Sequence, residues 1–223
     1  GFAHYMWIET QGTGQLGKVH EVKVFFGEYT YGVIEDPSGD AFKNVADFGL
    51  WVLGPDGSKT LLKPVAKTDH YLARFTPEKE GTYTVVLNND TIGVLDYTQY
   101  DFGIFKPQYR ATARIQVGST IAPTASEPSQ GLLIRQLEQD NGQIGLQVLY
   151  QGKPLPQNEL KVYLPELWSK TLETDAEGMV YFSLPWPSTY TVETTYNETV
   201  PGSYRGKDYE FIWHCATYAL LNR

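Results

Sequence analysis

The sequence holds a single cysteine, Cys215, among 223 residues, which rules out an intrachain disulfide and any Cys-rich zinc site. Such poverty in thiol suits the bacterial envelope. No apolar run reaches the ~18 residues of a membrane-spanning helix. Basic residues are scarce, 18 against 26 acidic ones, for a net charge of −8. A nucleic-acid surface needs clustered Lys and Arg, so that function is excluded. The charge permits a cationic ligand without requiring one, because acidic surfaces also serve solubility. Catalytic signatures are missing too: there is no Gly-x-Ser-x-Gly, His-Glu-x-x-His, phosphate loop or dinucleotide fingerprint. Asp and Glu are scattered without a pair that can be placed across a cleft, so glycosidase chemistry has no support. These absences point to a binding protein rather than an enzyme.

What is there favours strand. Apolar residues make up 41%, enough for a core, and 16 Tyr, 21 Gly and 13 Pro alternate sheet-forming segments with turns. His20, Val22, Val24 and Phe26 alternate with Glu21 and Lys23, the period of a half-buried strand. Further strands are expected over 4–9, 48–53, 71–75, 82–87 and 110–117, with turns such as Gly54-Pro55-Asp56-Gly57 between them. Segments 28–46 and 92–108 are less regular and are expected to be loops that carry a site. Residues 119–129, small, polar and Pro-containing, read as a linker. Beyond it, strands are expected over 132–138, 143–150, 160–164, 171–174, 179–184, 190–195 and 209–218, with no segment of helical period. The expectation is an all-β chain of two β-sandwich domains, immunoglobulin-like or transthyretin-like. They span 1–118 and 130–223, with 119–129 between them.

Gly152-Lys153-Pro154-Leu155, Val162 and Thr174-Asp175-Ala176-Glu177-Gly178 before Tyr181-Phe182 form a recognisable series. It resembles the transthyretin-like or carboxypeptidase-regulatory-like sandwich of bacterial envelope proteins. In chain order, Ala3-His4-Tyr5-Met6-Trp7-Ile8-Glu9, Val22-Lys23-Val24-Phe25-Phe26-Gly27, Phe75-Thr76-Pro77 with Gly81-Thr82-Tyr83, and His214-Cys215-Ala216-Thr217 add to it. Together they resemble a family of bacterial periplasmic proteins of unknown function, NikM-like, associated with nickel and cobalt uptake. Segments 28–46 and 92–108 and the Cys215 beside His214 depart from that pattern. The resemblance implies a periplasmic or envelope location, secretion through a removed signal peptide, and a metal ion or an envelope transport component as partner.

Only four histidines are present, His4, His20, His70 and His214, and none has the spacing of a ready-made metal motif. Any site must be assembled by the fold. Imidazole suits Ni, Co, Cu and Zn, and raw affinity favours copper among them. Ala3 would suit the last position of a signal-peptidase site. Cleavage there would make His4 the N-terminus, with α-amine and ring held close by covalent geometry. The expected ligands are His4 and His214, with His70 third and Asp69 beside it as ligand or support. His20 shares a face with Val22 and Val24 and reads as a hydrogen-bonded core-edge histidine. Cys215, in an apolar strand, reads as inert filler. The rival expectation is a structural or glycan-binding envelope module without metal, in which Tyr97, Tyr100, Phe102 and Trp186 matter. A third is a copper oxidase built on a free His4 amine.

Overall fold

The computed structural model describes residues 4–120 and 130–222. The predicted linker lies, from residue 121 onward, outside the described residues, as does Ala3. The chain is all-β. Its first half contains β1 (Tyr5–Thr10), β2 (Thr13–Gly14), β3 (His20–Glu28), β4 (Val33–Ile34), β5 (Gly49–Leu53), β6 (Lys59–Leu61), β7 (Val65–Ala66), β8 (Tyr71–Phe75), β9 (Gly81–Asn89), β10 (Leu95–Tyr97) and β11 (Gly103–Val117). A single helical turn, α1 (Asp40–Lys43), falls between β4 and β5. The second half adds β12 (Leu132–Leu137), β13 (Ile144–Tyr150), β14 (Lys153–Pro154), β15 (Glu159–Leu164), β16 (Trp168–Glu173), β17 (Met179–Phe182), β18 (Ser188–Glu198), β19 (Gly202–Tyr204), β20 (Lys207–Tyr209) and β21 (Phe211–Asn222). No helix among the described residues is long and apolar enough to cross a membrane.

A ten-stranded sheet runs β16-β15-β18-β21-β11-β9-β5-β6, with β10 and β2 added along β11. The join between the halves is β21, which pairs in parallel with β11 from Phe105↔Phe211 to Ala113↔Ala219. Side chains alternate across a strand, so β21 serves both of its faces. Trp213 and Cys215 enter one core, with Val22, Val24 and Phe26 of β3 and Val85 and Leu87 of β9. Ala216, Tyr218 and Leu220 enter another, with Ile134, Leu146, Val162 and Val192. The first core is closed by the sheet β1-β3-β8-β7, with β4 attached to β3. The second is closed by β12-β13-β14, with β17 on β13. Two sheets therefore cover opposite faces of a third.

Local sequence accounts for most of this. In β3, Val22 and Val24 are wholly buried while Glu21 and Lys23 stay exposed. The turn at Asp175 forms as its residues predict: the Asp175 carboxylate accepts the Glu177 and Met179 N–H groups, and Gly178 takes φ +71°. The segment expected to be irregular from 92 to 108 contains β10 and the start of β11. A strand opening at Gly103 rather than Arg110 was obscured by its mixture of Lys, Pro and aromatic residues.

Candidate functional site

Gly27 sets the site up. A Cβ there would lie 2.1 Å from the Val33 carbonyl oxygen, so only glycine lets β4 close onto the end of β3 in the register Gly27↔Ile34 and Glu28↔Val33. The Glu35 N–H then donates to the Phe26 carbonyl at 2.8 Å. That short hairpin carries Glu28 and Glu35 to His4, which immediately precedes β1, the partner of β3. The His4 ring lies against Phe26, centroids 5.1 Å apart.

The two ring nitrogens of His4 face different carboxylates. Nε2 is 2.8 Å from Glu35 Oε1, the distance of a charge-assisted hydrogen bond. Nδ1 is 3.6 Å from Glu28 Oε1, too far for one. Glu28 Oε1 is buried and has no hydrogen-bond partner. A proton on Nε2, donated to Glu35, leaves the Nδ1 lone pair facing a buried carboxylate oxygen. Two acceptors so placed repel unless a cation lies between them. Beside His4 opens a cavity of about 270 Å³, walled by Phe26, Tyr97, Phe105, Tyr109 and Trp213 and by Ala41, Val45, Ile92 and Leu95. The two segments expected to carry a site, 28–46 and 92–108, both contribute to its wall. Two of the wall rings, Phe105 and Trp213, meet Phe102 edge-on.

The expected histidines do not converge. Trp213 lines the His4 cavity, so His214, the next residue of β21, points to the opposite face of the sheet. There its Nε2 lies 3.0 Å from Glu198 Oε2 and its ring meets Tyr150 edge-on. His70 packs on Phe25, whereas His4 packs on the adjacent Phe26, so these two take opposite faces of β3. The His70 Nδ1 is 2.6 Å from the Asp69 carboxylate at an exposed turn. His4 and His214 therefore share no site, and His70 with Asp69 joins neither. Among the described residues, no group of three or more His, Cys, Asp or Glu side chains is placed to hold a metal ion. At His4 the side chains supply two facing donors, Nδ1 and Glu28 Oε1. His20 is buried and bonded to Thr10 Oγ1 at 2.9 Å; Cys215 is buried, and burial pushes its thiol well above the ordinary range.

A model of one protein family matches residues 1–198 and is described as a domain of unknown function, DUF4198. The chain belongs to that family. His4, Glu28 and Glu35 lie within the matched span of this DUF4198 chain, whereas β21 lies beyond it. A comparison with curated proteins returned no match.

Sequence reasoning missed three groups in the DUF4198 chain. Glu28 and Glu35 carry no spacing signal, because only the β3–β4 hairpin unites them. Glu193 on β18 is also buried; it accepts a hydrogen bond from Tyr29 at 2.8 Å, and Tyr5 and Tyr163 add their hydroxyls. Burial pushes its carboxyl above the usual range, against the three phenols. This network anchors β1, and with it His4, to the second half of the chain.

Proposed function

We propose that the chain is an envelope-facing binding protein rather than a catalyst, and that it takes a divalent transition metal at His4. The reading extends the resemblance to accessory components of nickel and cobalt uptake. One observation carries it: the buried Glu28 Oε1, which has no hydrogen-bond partner among the described residues, lies 3.6 Å from His4 Nδ1. Ligands about 2.0–2.2 Å from one ion sit at such separations, and an ion is smaller than the water that cannot reach this oxygen. Glu35 on Nε2 plays the orienting part that a carboxylate commonly plays behind a metal-bound imidazole, fixing the tautomer that frees Nδ1. In a chain beginning at His4, the α-amine adds a third donor and closes a chelate ring with Nδ1. Nickel, cobalt, copper and zinc all suit nitrogen with one carboxylate, with copper bound most tightly in the general order of affinities.

Titration calorimetry of each of the four ions into a chain beginning at His4 tests this. One ion per chain is expected, with binding lost in His4→Ala and kept in His214→Ala. Failure of all four ions to bind contradicts it.

The second reading is a glycan-binding or structural module without metal. It draws on rings at the surface, since Tyr100 is 50% and Trp186 47% exposed, and exposed aromatic faces stack on sugars. It predicts that Tyr100→Ala and Trp186→Ala abolish ligand capture while His4→Ala leaves it intact.

A further inference from the structure

We propose that a small oxyanion, a carboxylate or a phosphate, binds in a polar cavity on the other face of the ten-stranded sheet, held by Arg110. The cavity lies where β9, β11 and β21 meet the start of β12. Its volume is about 80 Å³, and Asn88, Gln108, Arg110, Gln130 and His214 contribute to its wall. That is room for a single phosphate or carboxylate group and too little for a sugar or an aromatic ring.

Arg110 is the reason for the assignment. Its side chain sits in the sheet at 9% exposure, yet no carboxylate lies within ion-pair distance of it among the described residues. Its guanidinium donates to two neutral acceptors, the Gln130 carbonyl and Asn88 Oδ1 at 3.2 Å. The Nε–H is buried with no hydrogen-bond partner among the described residues. A guanidinium has five N–H donors in a planar fork suited to oxyanions, so most of its capacity is unused. Buried charges are ordinarily paired, because leaving one uncompensated in a dry interior is costly.

The surroundings point the same way. Lys106, four residues earlier on the same face of β11, is 5% exposed. Among the described residues it too has no ion-pair partner: it donates to the Asp90 carbonyl and lies over the Tyr204 ring at 4.3 Å. Among the described residues, two carboxylates stand near: Glu198 is engaged by His214 at 3.0 Å, and Asp90 lines the cavity and acts on Arg110 through space without forming an ion pair. Backbone passes close over the guanidinium at Gly131, whose φ of +75° favours glycine and where a Cβ would come within 3.6 Å of Nη2. His214 serves as a reporter. Burial holds its imidazole below its ordinary value, with Arg110 and Lys106 pushing the same way and Glu198 opposing them. An anion on Arg110 would offset the two cations and raise it.

The test uses the whole chain, with inorganic phosphate and formate as separate probes against chloride at matched ionic strength. Thermal unfolding is followed in parallel with the NMR signals of the His214 ring. At a hundredfold excess over its dissociation constant, the bound anion should raise the melting temperature by about 5–10 °C. The His214 signal should move saturably and titrate at higher pH. Response to phosphate alone identifies a phosphoryl site, response to formate alone a carboxylate site, and response to both a general oxyanion site. Arg110→Met should abolish all of these responses. The wild-type His214 signal decides the matter even if that variant does not fold: no saturable movement with either ion overturns the proposal.

Discussion

His4 and His214 each hold an imidazole against a glutamate, yet their surroundings have opposite electrical character. His4 lies between Glu28 and Glu35 at the edge of the first core. His214 lies within the sheet with one glutamate, and with Arg110 and Lys106 near enough to depress its basicity. The first setting suits a cation and the second an anion. A histidine in a sequence is therefore an ambiguous signal: the charges the fold gathers around it decide what it can serve, and those come from distant positions.

The comparison can be broken from the His4 side most severely by removing the floor beneath β1. Glu193→Leu leaves the hydroxyls of Tyr5, Tyr29 and Tyr163 without their acceptor. It should cost about 3 kcal/mol in denaturant unfolding and loosen the His4 site while sparing the anion response at Arg110. Glu28→Gln is next. It keeps the shape but removes the buried charge, and should weaken metal binding by about a hundredfold, or ~2.7 kcal/mol, by calorimetry. Glu35→Gln acts only on ring orientation and should weaken it by about tenfold.

Acidity gives a smaller effect that sharpens the contrast. Burial lowers the folded-state values of His214 and His20 from 6.5, so their contribution is fully present above that value. It is lost as pH falls through the depressed folded values, because the unfolded chain binds protons first. His214→Gln should flatten the acid side of the stability curve measured by urea unfolding. Glu193 has the opposite sign. Its raised value gives stability that is fully present below about 4.5 and lost as pH rises through the folded value. Glu193→Gln should remove that fall.

The strands were legible wherever alternation was clean, as over His20–Phe26, and the turns wherever Gly and Asp mark them, as at Asp175–Gly178. The parallel pairing of β11 with β21 was not, because no local pattern links segments about a hundred residues apart. That pairing separates His4 from His214, so a site expected from residue type alone dissolved once the faces of β21 were known. The segments 28–46 and 92–108, expected to be loops carrying a site, hold short strands, a helical turn and the start of β11, and both contribute to the wall of the cavity beside His4. Glu28 and Glu35 were invisible because a glycine-dependent hairpin makes them neighbours. Arg110 was hidden because a basic residue in a predicted strand reads as solvent-facing, and only its burial, with no carboxylate in ion-pair range among the described residues, reveals otherwise.

The most direct measurement is a pair of titrations on one ¹⁵N-histidine-labelled sample of a chain beginning at His4, first with Zn²⁺ and then, separately, with phosphate and formate. Zn²⁺ is expected to shift the His4 ring signals at one-to-one stoichiometry and to leave those of His214 in place. At least one of the two anions should do the reverse. Zn²⁺ acting on His214, or neither ring responding to its assigned ion, would contradict these assignments.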